Sequence, residues 1–136
     1  MADQSKIFEV EIITPDRTFY KSEATMIEFN TAAGEIGVYK NHIPLTTVLA
    51  PGVVTIHKDG EDNVIAAVHS GFAEILPEKV TLLAEVAEWP DEIDVERAEA
   101  AKKRAEERLA SKAESVDVMR AELALRRALV RMDIAK

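Results

Sequence analysis

Short runs of alternating apolar and polar residues fill the first two thirds of the chain. Turn residues separate these runs, which are FEVEIIT (8–14), ATMIEFN (24–30), GEIGVY (34–39), GVVTIH (52–57), VIAAVHS (64–70), FAEIL (72–76) and VTLLAEVAEW (80–89). A period of two places successive side chains on opposite faces of a β-strand. The pattern predicts an all-β unit of about eight strands.

Two of the breaks between runs have the composition of hairpin turns. The segment at 57–64 contains Asp59-Gly60, and the segment at 75–80 contains Pro77. These residues favour tight turns, so we expect antiparallel pairing on either side of each. A sheet with one apolar face must cover that face, which predicts a sandwich or barrel. The predicted core consists of Val10, Ile12, Ile27, Phe29, Ile36, Val38, Val54, Ile56, Ala66, Val68, Phe72, Ile75, Val80, Leu82 and Val86.

The pattern changes at Glu88-Trp89-Pro90-Asp91-Glu92. The remaining sequence is rich in Ala, Glu, Lys, Arg and Leu and contains no Gly or Pro, which favours helix. We predict helices over about 94–111 and 117–133, with Ser115 or Asp117 capping the second. A short connection implies an antiparallel hairpin.

The predicted fold class is therefore α+β in sequence order, an N-terminal all-β sandwich followed by a C-terminal antiparallel α-helical hairpin. We place the sandwich domain at 1–88, a linker at 89–93 and the two-helix domain at 94–136.

Composition excludes several functional classes. A net charge of −8 argues against general nucleic-acid binding, and the absence of cysteine excludes disulfides, thiolate metal sites and cysteine nucleophiles. No apolar run approaches the ~20 residues that span a bilayer. The start MADQSKIFEV lacks the features of a signal peptide, so we expect a cytoplasmic protein. Residues 1–92 hold 6 basic and 16 acidic side chains, whereas residues 93–136 hold 11 and 9, which indicates two modules.

The two predicted helices repeat one pattern. DVERAEAAKKRAEERL (94–109) aligns with DVMRAELALRRALVRM (117–132), and nine of the sixteen positions are identical. The arginines of each helix are spaced so that they fall within a stripe about 40° wide. Folding the chain near residue 113 then brings Arg97 near Arg131 and Arg104 near Arg127. Crowded guanidinium groups repel one another unless a polyanion intervenes, and arginine suits phosphate recognition, so a nucleoside triphosphate is a candidate ligand.

Two other interpretations of the arginines stay open. They are compatible with solvated faces of amphipathic helices, because charged runs usually lie at the surface. They are also compatible with binding an acidic partner protein when the hairpin opens. Opening would then expose apolar side chains at Leu109, Met119, Leu123, Leu125, Leu129 and Met132.

Five blocks of sequence resemble the epsilon subunit family of the bacterial F-type ATP synthase. They cover nearly the whole chain and are ITPDRTFY (13–20), GEIGVYKNHIPLTTVLAPG (34–52), GFAEILPEKVTLLAEVAE (71–88), IDVERA (93–98) and RAELALRRA (120–128). The resemblance implies a non-catalytic rotor subunit whose β-sandwich binds the gamma subunit and the c-ring. It also implies a two-helix domain that either folds back or extends along gamma toward the alpha and beta subunits, and the extended form inhibits ATP hydrolysis.

The resemblance also implies site residues. In family members that bind ATP, the folded hairpin is the liganded form, and ATP is a regulatory ligand, with or without magnesium. The matching positions in this sequence are Glu88, Asp94, Arg97, Arg104, Arg127 and Arg131. Glu35 and His42 match the region that faces the c-ring. The implied location is the cytoplasmic face of the cell membrane, peripheral and held there through the complex.

Other functional classes have less support in the sequence. His57 and His69 lack the spacing of metal ligands, so we expect no metal site. No nucleophile with a neighbouring base and no Walker loop is present, so we expect no active site. A stand-alone nucleotide-sensing or phosphate-handling protein, or an adaptor for another scaffold, remains the alternative.

Overall fold

A β-sheet unit and two helices make up the fold, and the computed structural model describes residues 4–111 and 116–135. The strands are β1 (Phe8–Ile13), β2 (Thr18–Ala24), β3 (Met26–Thr31), β4 (Gly34–Val38), β5 (Leu45–Val48), β6 (Gly52–His57), β7 (Val64–Leu76) and β8 (Lys79–Glu88). The helices are α1 (Val95–Ala110) and α2 (Val118–Ile134). Single turns of 3-10 helix lie at Gln4–Lys6 and Pro90–Glu92.

The strands form one folded sheet in the order β2-β1-β8-β7-β6-β3-β4, and β5 pairs with β7. Strands β1 and β8 run parallel, and the other pairs are antiparallel. Both predicted hairpins are confirmed, because β6 pairs with β7 and β7 pairs with β8. The sequence pattern missed β2 and β5 and divided β7 into two runs. Strand β2 contains several polar residues and β5 has four residues, so neither shows a clear alternation.

The core lies between the inner faces of the folded sheet. The predicted core residues that are buried there are Val10, Ile12, Ile27, Phe29, Val38, Val54, Ile56, Ala66, Val68, Ile75, Val80 and Leu82. Ile36 is partly buried against this core. The predictions for Phe72 and Val86 were wrong, since these side chains are 55% and 40% exposed.

The two wrong core predictions share a backbone cause. Ser70 and Gly71 have φ angles of 59° and 121°, which interrupt the regular alternation of β7. Even-numbered side chains face the core before this point and odd-numbered ones after it, so Phe72 points outward. Val86 lies opposite His69 in the β7–β8 register and shares its face, away from the core. This outer face of β7 is where the helical hairpin docks.

The hairpin is built on small residues. Each helix begins at an aspartate, Asp94 or Asp117, whose Oδ1 accepts a hydrogen bond of 3.1 Å from a backbone N–H in the first turn. The alternative cap, Ser115, lies outside the described residues. The buried residues of the helices are alanines at equivalent positions of the repeat, which are Ala98, Ala105, Ala121 and Ala128. Helices with alanine at the interface can approach closely, as the sequence predicts.

The prediction that opening of the hairpin would expose a set of covered apolar side chains was partly wrong. Met119 is 81% exposed and Leu129 is 45% exposed while the hairpin is docked. Both side chains are therefore already accessible to solvent in the docked state, and Leu129 lines the cleft between α2 and β6. Opening of the hairpin would therefore expose less apolar surface than the sequence suggests.

The linker is attached to the sandwich by an aromatic contact. The Trp89 ring stacks on the Phe19 ring, with centroids 4.2 Å apart and an angle of 19° between the planes. Arg17 Nη2 donates to both carboxylate oxygens of Glu92, at 3.3 and 3.1 Å. These contacts set where the chain leaves the sandwich and enters α1.

Candidate functional site

A cleft of about 360 Å³ lies at the base of the hairpin, where the end of β8, the linker and both helices meet. Its lining residues are Glu88, Glu92, Ile93, Asp94, Arg97, Ala98, Ala101, Arg104 and Arg131. The structure therefore brings together five of the six residues that the sequence assigned to a nucleotide site. The sixth, Arg127, does not line this cleft.

Local structure explains how the basic side chains converge. Asp94 caps α1, because its side chain accepts a hydrogen bond from the backbone N–H of Arg97. Arg97 and Arg104 lie seven residues apart on α1, so they project from the same face two turns apart. Arg131 reaches the cleft from the last turn of α2. The cleft thus depends on the antiparallel placement of the two helices.

Glu88 connects the sandwich to the hairpin. Its Oε1 accepts a hydrogen bond of 2.7 Å from Arg131 Nε and one of 3.1 Å from His69 Nε2. The bond from His69, and with it the bond from Arg131, holds the pKa of Glu88 below its ordinary value of 4.5, although partial burial opposes this effect. Glu88 is therefore ionised at neutral pH and lines the cleft as a hydrogen-bond acceptor.

The acidic residues of the cleft have other partners. Glu92 accepts from Arg17 and from the backbone N–H of Trp89, and Asp94 accepts from the backbone of α1. Within residues 4–111 and 116–135, neither Arg97 nor Arg104 has a carboxylate within 4.0 Å. Two guanidinium groups are left for an anionic ligand.

Arg127 contacts the sandwich instead. Its Nη2 donates to Ser70 Oγ at 3.1 Å, and its Nε is buried without a hydrogen-bond partner among the described residues. The assignment of Arg127 to nucleotide binding stays a prediction. In this structure the side chain holds α2 against β7.

The two residues predicted to face the c-ring lie apart from this cleft. Glu35 is exposed on β4 and lines a separate cleft of about 650 Å³ beside the C-terminal half of α2. His42 lies in the loop between β4 and β5, where its Nδ1 is 2.6 Å from the Ile43 carbonyl oxygen. The structure does not bring these two residues into one site, and their role stays a prediction.

Sequence reasoning missed two residues next to the cleft. His69 is 1% exposed beneath the hairpin and binds Glu88, and Ser70 binds Arg127. A polar His-Ser pair in the apolar run of β7 was the available signal. It indicates a side chain that another element must cover, but it does not identify that element.

Two further findings concern the described residues only. They contain no group of three or more His, Cys, Asp or Glu side chains placed to hold a metal ion. None of their helices is long and apolar enough to cross a membrane.

Comparison with known proteins covers both parts of the chain. Residues 7–90 match the β-sandwich domain of the ATP synthase delta/epsilon chain, and residues 91–136 match its long α-helix domain. The ATP synthase epsilon chain of Caldanaerobacter subterraneus subsp. tengcongensis is 47% identical over 131 residues, which are 96% of this chain and 94% of that protein. The epsilon chain of Brevibacillus brevis is 50% identical over 127 residues, 93% of this chain and 96% of that protein.

A solved structure shares the fold. A chain of the Euglena gracilis mitochondrial ATP synthase, determined together with its c-ring, superposes with a TM-score of 0.81 at 22% identity, covering 98% of this chain and 82% of that one. Both domain types occur in the same order, and the relatives match over nearly their full length. The chain therefore belongs to the epsilon-chain family of the F-type ATP synthase.

Proposed function

We propose that this chain is a non-catalytic central-stalk subunit of a proton-translocating F-type ATP synthase, where it couples the catalytic head to the c-ring. Its helical hairpin binds ATP in the docked form and inhibits ATP hydrolysis when it extends toward the alpha and beta subunits. The observation that carries the proposal is the cleft, whose charged residues come from the end of β8, the linker and both helices.

The composition of the cleft links ligand binding to hairpin docking. Glu88 belongs to β8, Arg97 and Arg104 to α1, and Arg131 to α2. Extension of the hairpin would separate these elements and dismantle the cleft. A ligand shifts a conformational equilibrium only when it binds one state more tightly. A ligand that contacts all three elements meets this condition, because it binds the docked state alone.

Charge favours a nucleoside triphosphate in the cleft. Arg97 and Arg104 have no carboxylate partner among the described residues. Planar guanidinium groups bind phosphate oxygens through paired hydrogen bonds. Glu88 is an ionised acceptor that suits an N–H donor such as the exocyclic amine of adenine. Asp94 also lines the cleft, and its carboxylate would hold a magnesium ion that accompanies the phosphates.

The sandwich has a surface suited to partner binding. Val48, Phe72 and Leu83 lie opposite one another across β5, β7 and β8, and each is about half exposed. Adjacent exposed apolar side chains of this kind are typical of protein interfaces. We assign gamma to this apolar row and the c-ring to the region of Glu35 and His42. The chain is then peripheral to the cytoplasmic face of the membrane through the complex.

Calorimetric titration of the purified chain with ATP tests the proposed site. Arg97→Ala should raise the dissociation constant for ATP by at least about tenfold, because it removes an unpaired guanidinium group. Arg126→Ala is the matched control, since this arginine lies on α2 beside a different cleft. Equal losses in the two variants would show that the cleft does not recognise the ligand.

The regulatory part of the proposal needs the assembled enzyme. A complex that carries a chain ending at residue 93 should hydrolyse ATP faster than the complex with the full chain. Failure of the full chain to assemble with ATP synthase subunits would instead favour an adaptor for another scaffold, and turnover of ATP by the isolated chain would favour an enzyme.

A further inference from the structure

Two consecutive residues of β7 connect the sandwich to the basic side chains of α2. His69 binds Glu88, which in turn binds Arg131, and Ser70 binds Arg127 directly. Arg127 and Arg131 lie four residues apart on one face of α2. Neither His69 nor Ser70 lines the cleft, so any influence they have on a ligand acts through their partners.

His69 constrains the Glu88 carboxylate. An ionised carboxylate only accepts hydrogen bonds, so His69 Nε2 carries the proton that it donates to Oε1. His69 Nδ1 is buried and has no partner within the described part of the chain. Because His69 and Arg131 both donate to Oε1, Oε2 is left as an acceptor for a ligand in the cleft.

Ser70 occupies a backbone conformation that glycine would adopt with less strain. Its φ angle is 59°, in the left-handed region, and it is followed by Gly71 at 121°. What serine adds at this position is its Oγ, which accepts the 3.1 Å hydrogen bond from Arg127 Nη2. The chain thus keeps a less favourable residue where that residue contacts the hairpin.

We propose that His69 and Ser70 are positioning residues for the nucleotide cleft. His69 fixes the carboxylate that faces the ligand, and Ser70 holds Arg127 and the C-terminal half of α2 against the sandwich. This inference rests on the proposed function, because its effect is an altered affinity for ATP.

Substitutions at His69 test the first half. His69→Ala should raise the dissociation constant for ATP about tenfold, since Glu88 loses one of its two donors. His69→Gln should restore affinity to within about twofold, because its amide N–H can donate to the same oxygen. The matched control is His57→Gln, which alters a similar pair in which His57 Nε2 lies 2.8 Å from Glu28 Oε1, away from the cleft. That control should leave the affinity unchanged.

Substitutions at Ser70 separate the hydroxyl from the backbone. Ser70→Ala removes the hydroxyl and keeps the backbone strain. Ser70→Gly removes the hydroxyl and also relieves the strain, because glycine adopts a positive φ readily. We expect both variants to lose about the same affinity for ATP, about fivefold, while Ser70→Gly alone raises the Tm. Ser22→Ala is the control, since Ser22 Oγ accepts a hydrogen bond of 2.9 Å from Lys58 on the sandwich.

The outcomes distinguish this inference from the proposed function. If the unmodified chain binds ATP and Arg97→Ala weakens binding, but His69→Ala and Ser70→Ala bind normally, the cleft stands and the positioning role is wrong. The role of the hydroxyl would also be overturned if the affinity for ATP rose and fell with the Tm across the Ser70 variants. If the unmodified chain binds no ATP, the proposed function fails and this inference fails with it.

Discussion

Replacement of Arg131 by alanine should release the hairpin without unfolding the sandwich. The substitution removes the 2.7 Å hydrogen bond from Arg131 Nε to Glu88 Oε1. The Arg131 side chain is 28% exposed and the Glu88 side chain is 23% exposed. A hydrogen bond between charged groups contributes about 1.5–3 kcal/mol when it is partly buried. Glu88 keeps its bond from His69, so it is not left unpaired. We expect docking to weaken by about 2 kcal/mol, which raises the undocked population about 30-fold.

The rate of thiol labelling at an introduced cysteine measures this population. The chain has no cysteine of its own. Ala67 is fully buried, but it lies outside the sandwich core and pairs with Glu88 at the docking face. A cysteine at this position (Ala67→Cys) should react only when the hairpin opens, at a rate proportional to the open fraction when reclosing is fast.

A neighbouring cysteine provides the control. Ala66 is 1% exposed and belongs to the sandwich core, so Ala66→Cys reports unfolding of the sandwich itself. Arg131→Ala should accelerate labelling of Ala67→Cys about 30-fold and leave Ala66→Cys unchanged. Equal labelling of Ala67→Cys with and without Arg131 would refute the reasoning, and acceleration at both positions would show that the whole fold was destabilised.

Three further predictions concern pH, the sheet and the hairpin. The hydrogen bond from His69 lowers the pKa of Glu88, so its contribution to docking is complete above pH 4.5 and lost as the pH falls through the lower folded value. As the hairpin undocks at low pH the radius of gyration should rise, which small-angle scattering measures. Glu88→Gln should abolish this dependence of the radius of gyration on pH. Gly71→Ala should destabilise the protein by more than about 4 kcal/mol, because its Cβ would lie 2.0 Å from a backbone oxygen of β8. Gly34→Ala has a similar φ but open space, so urea unfolding should show a loss of only about 2 kcal/mol. Ala128→Leu should overpack the interface between the helices and destabilise the hairpin by about 1–3 kcal/mol, because Ala128 is buried there. The midpoint of thermal unfolding, followed by circular dichroism, should fall, and an unchanged midpoint would argue against an alanine interface.

The sequence pattern predicted the fold where local rules decide it. Alternation located most strands, turn residues located two hairpins, and the change in composition at Pro90 located the helices. It failed at Ser70 and Gly71, where two positive φ angles change which side chains face the core. Phe72 and Val86 were assigned to the core because an unbroken alternation puts them there, and a single sequence does not reveal this change of backbone conformation.

The candidate site was likewise predictable where local geometry determines it and not where distant parts of the chain meet. The helical repeat placed Arg97, Arg104 and Arg131 in one cleft, because helix geometry and a short connection determine their positions. Arg127 does not line this cleft, because it binds Ser70 of a strand that is distant in sequence, and its assignment to nucleotide binding stays a prediction. The role of His69 depends on the register of β7 with β8 and on which face the hairpin covers. Neither of these features is local, so the sequence alone left it as one histidine in an apolar strand.

The claim that ATP binds the docked hairpin is tested most directly by measuring the distance between the sandwich and the start of α2 as ATP is added. Spin labels on Glu61→Cys, in the turn between β6 and β7, and on Met119→Cys, which is 81% exposed, would report hairpin position without entering the cleft. We predict that ATP shifts the distance distribution to the single docked population, and that Arg97→Ala prevents this shift. A distribution that stays the same at saturating ATP while an undocked population is present would contradict the claim that ATP binds the docked hairpin.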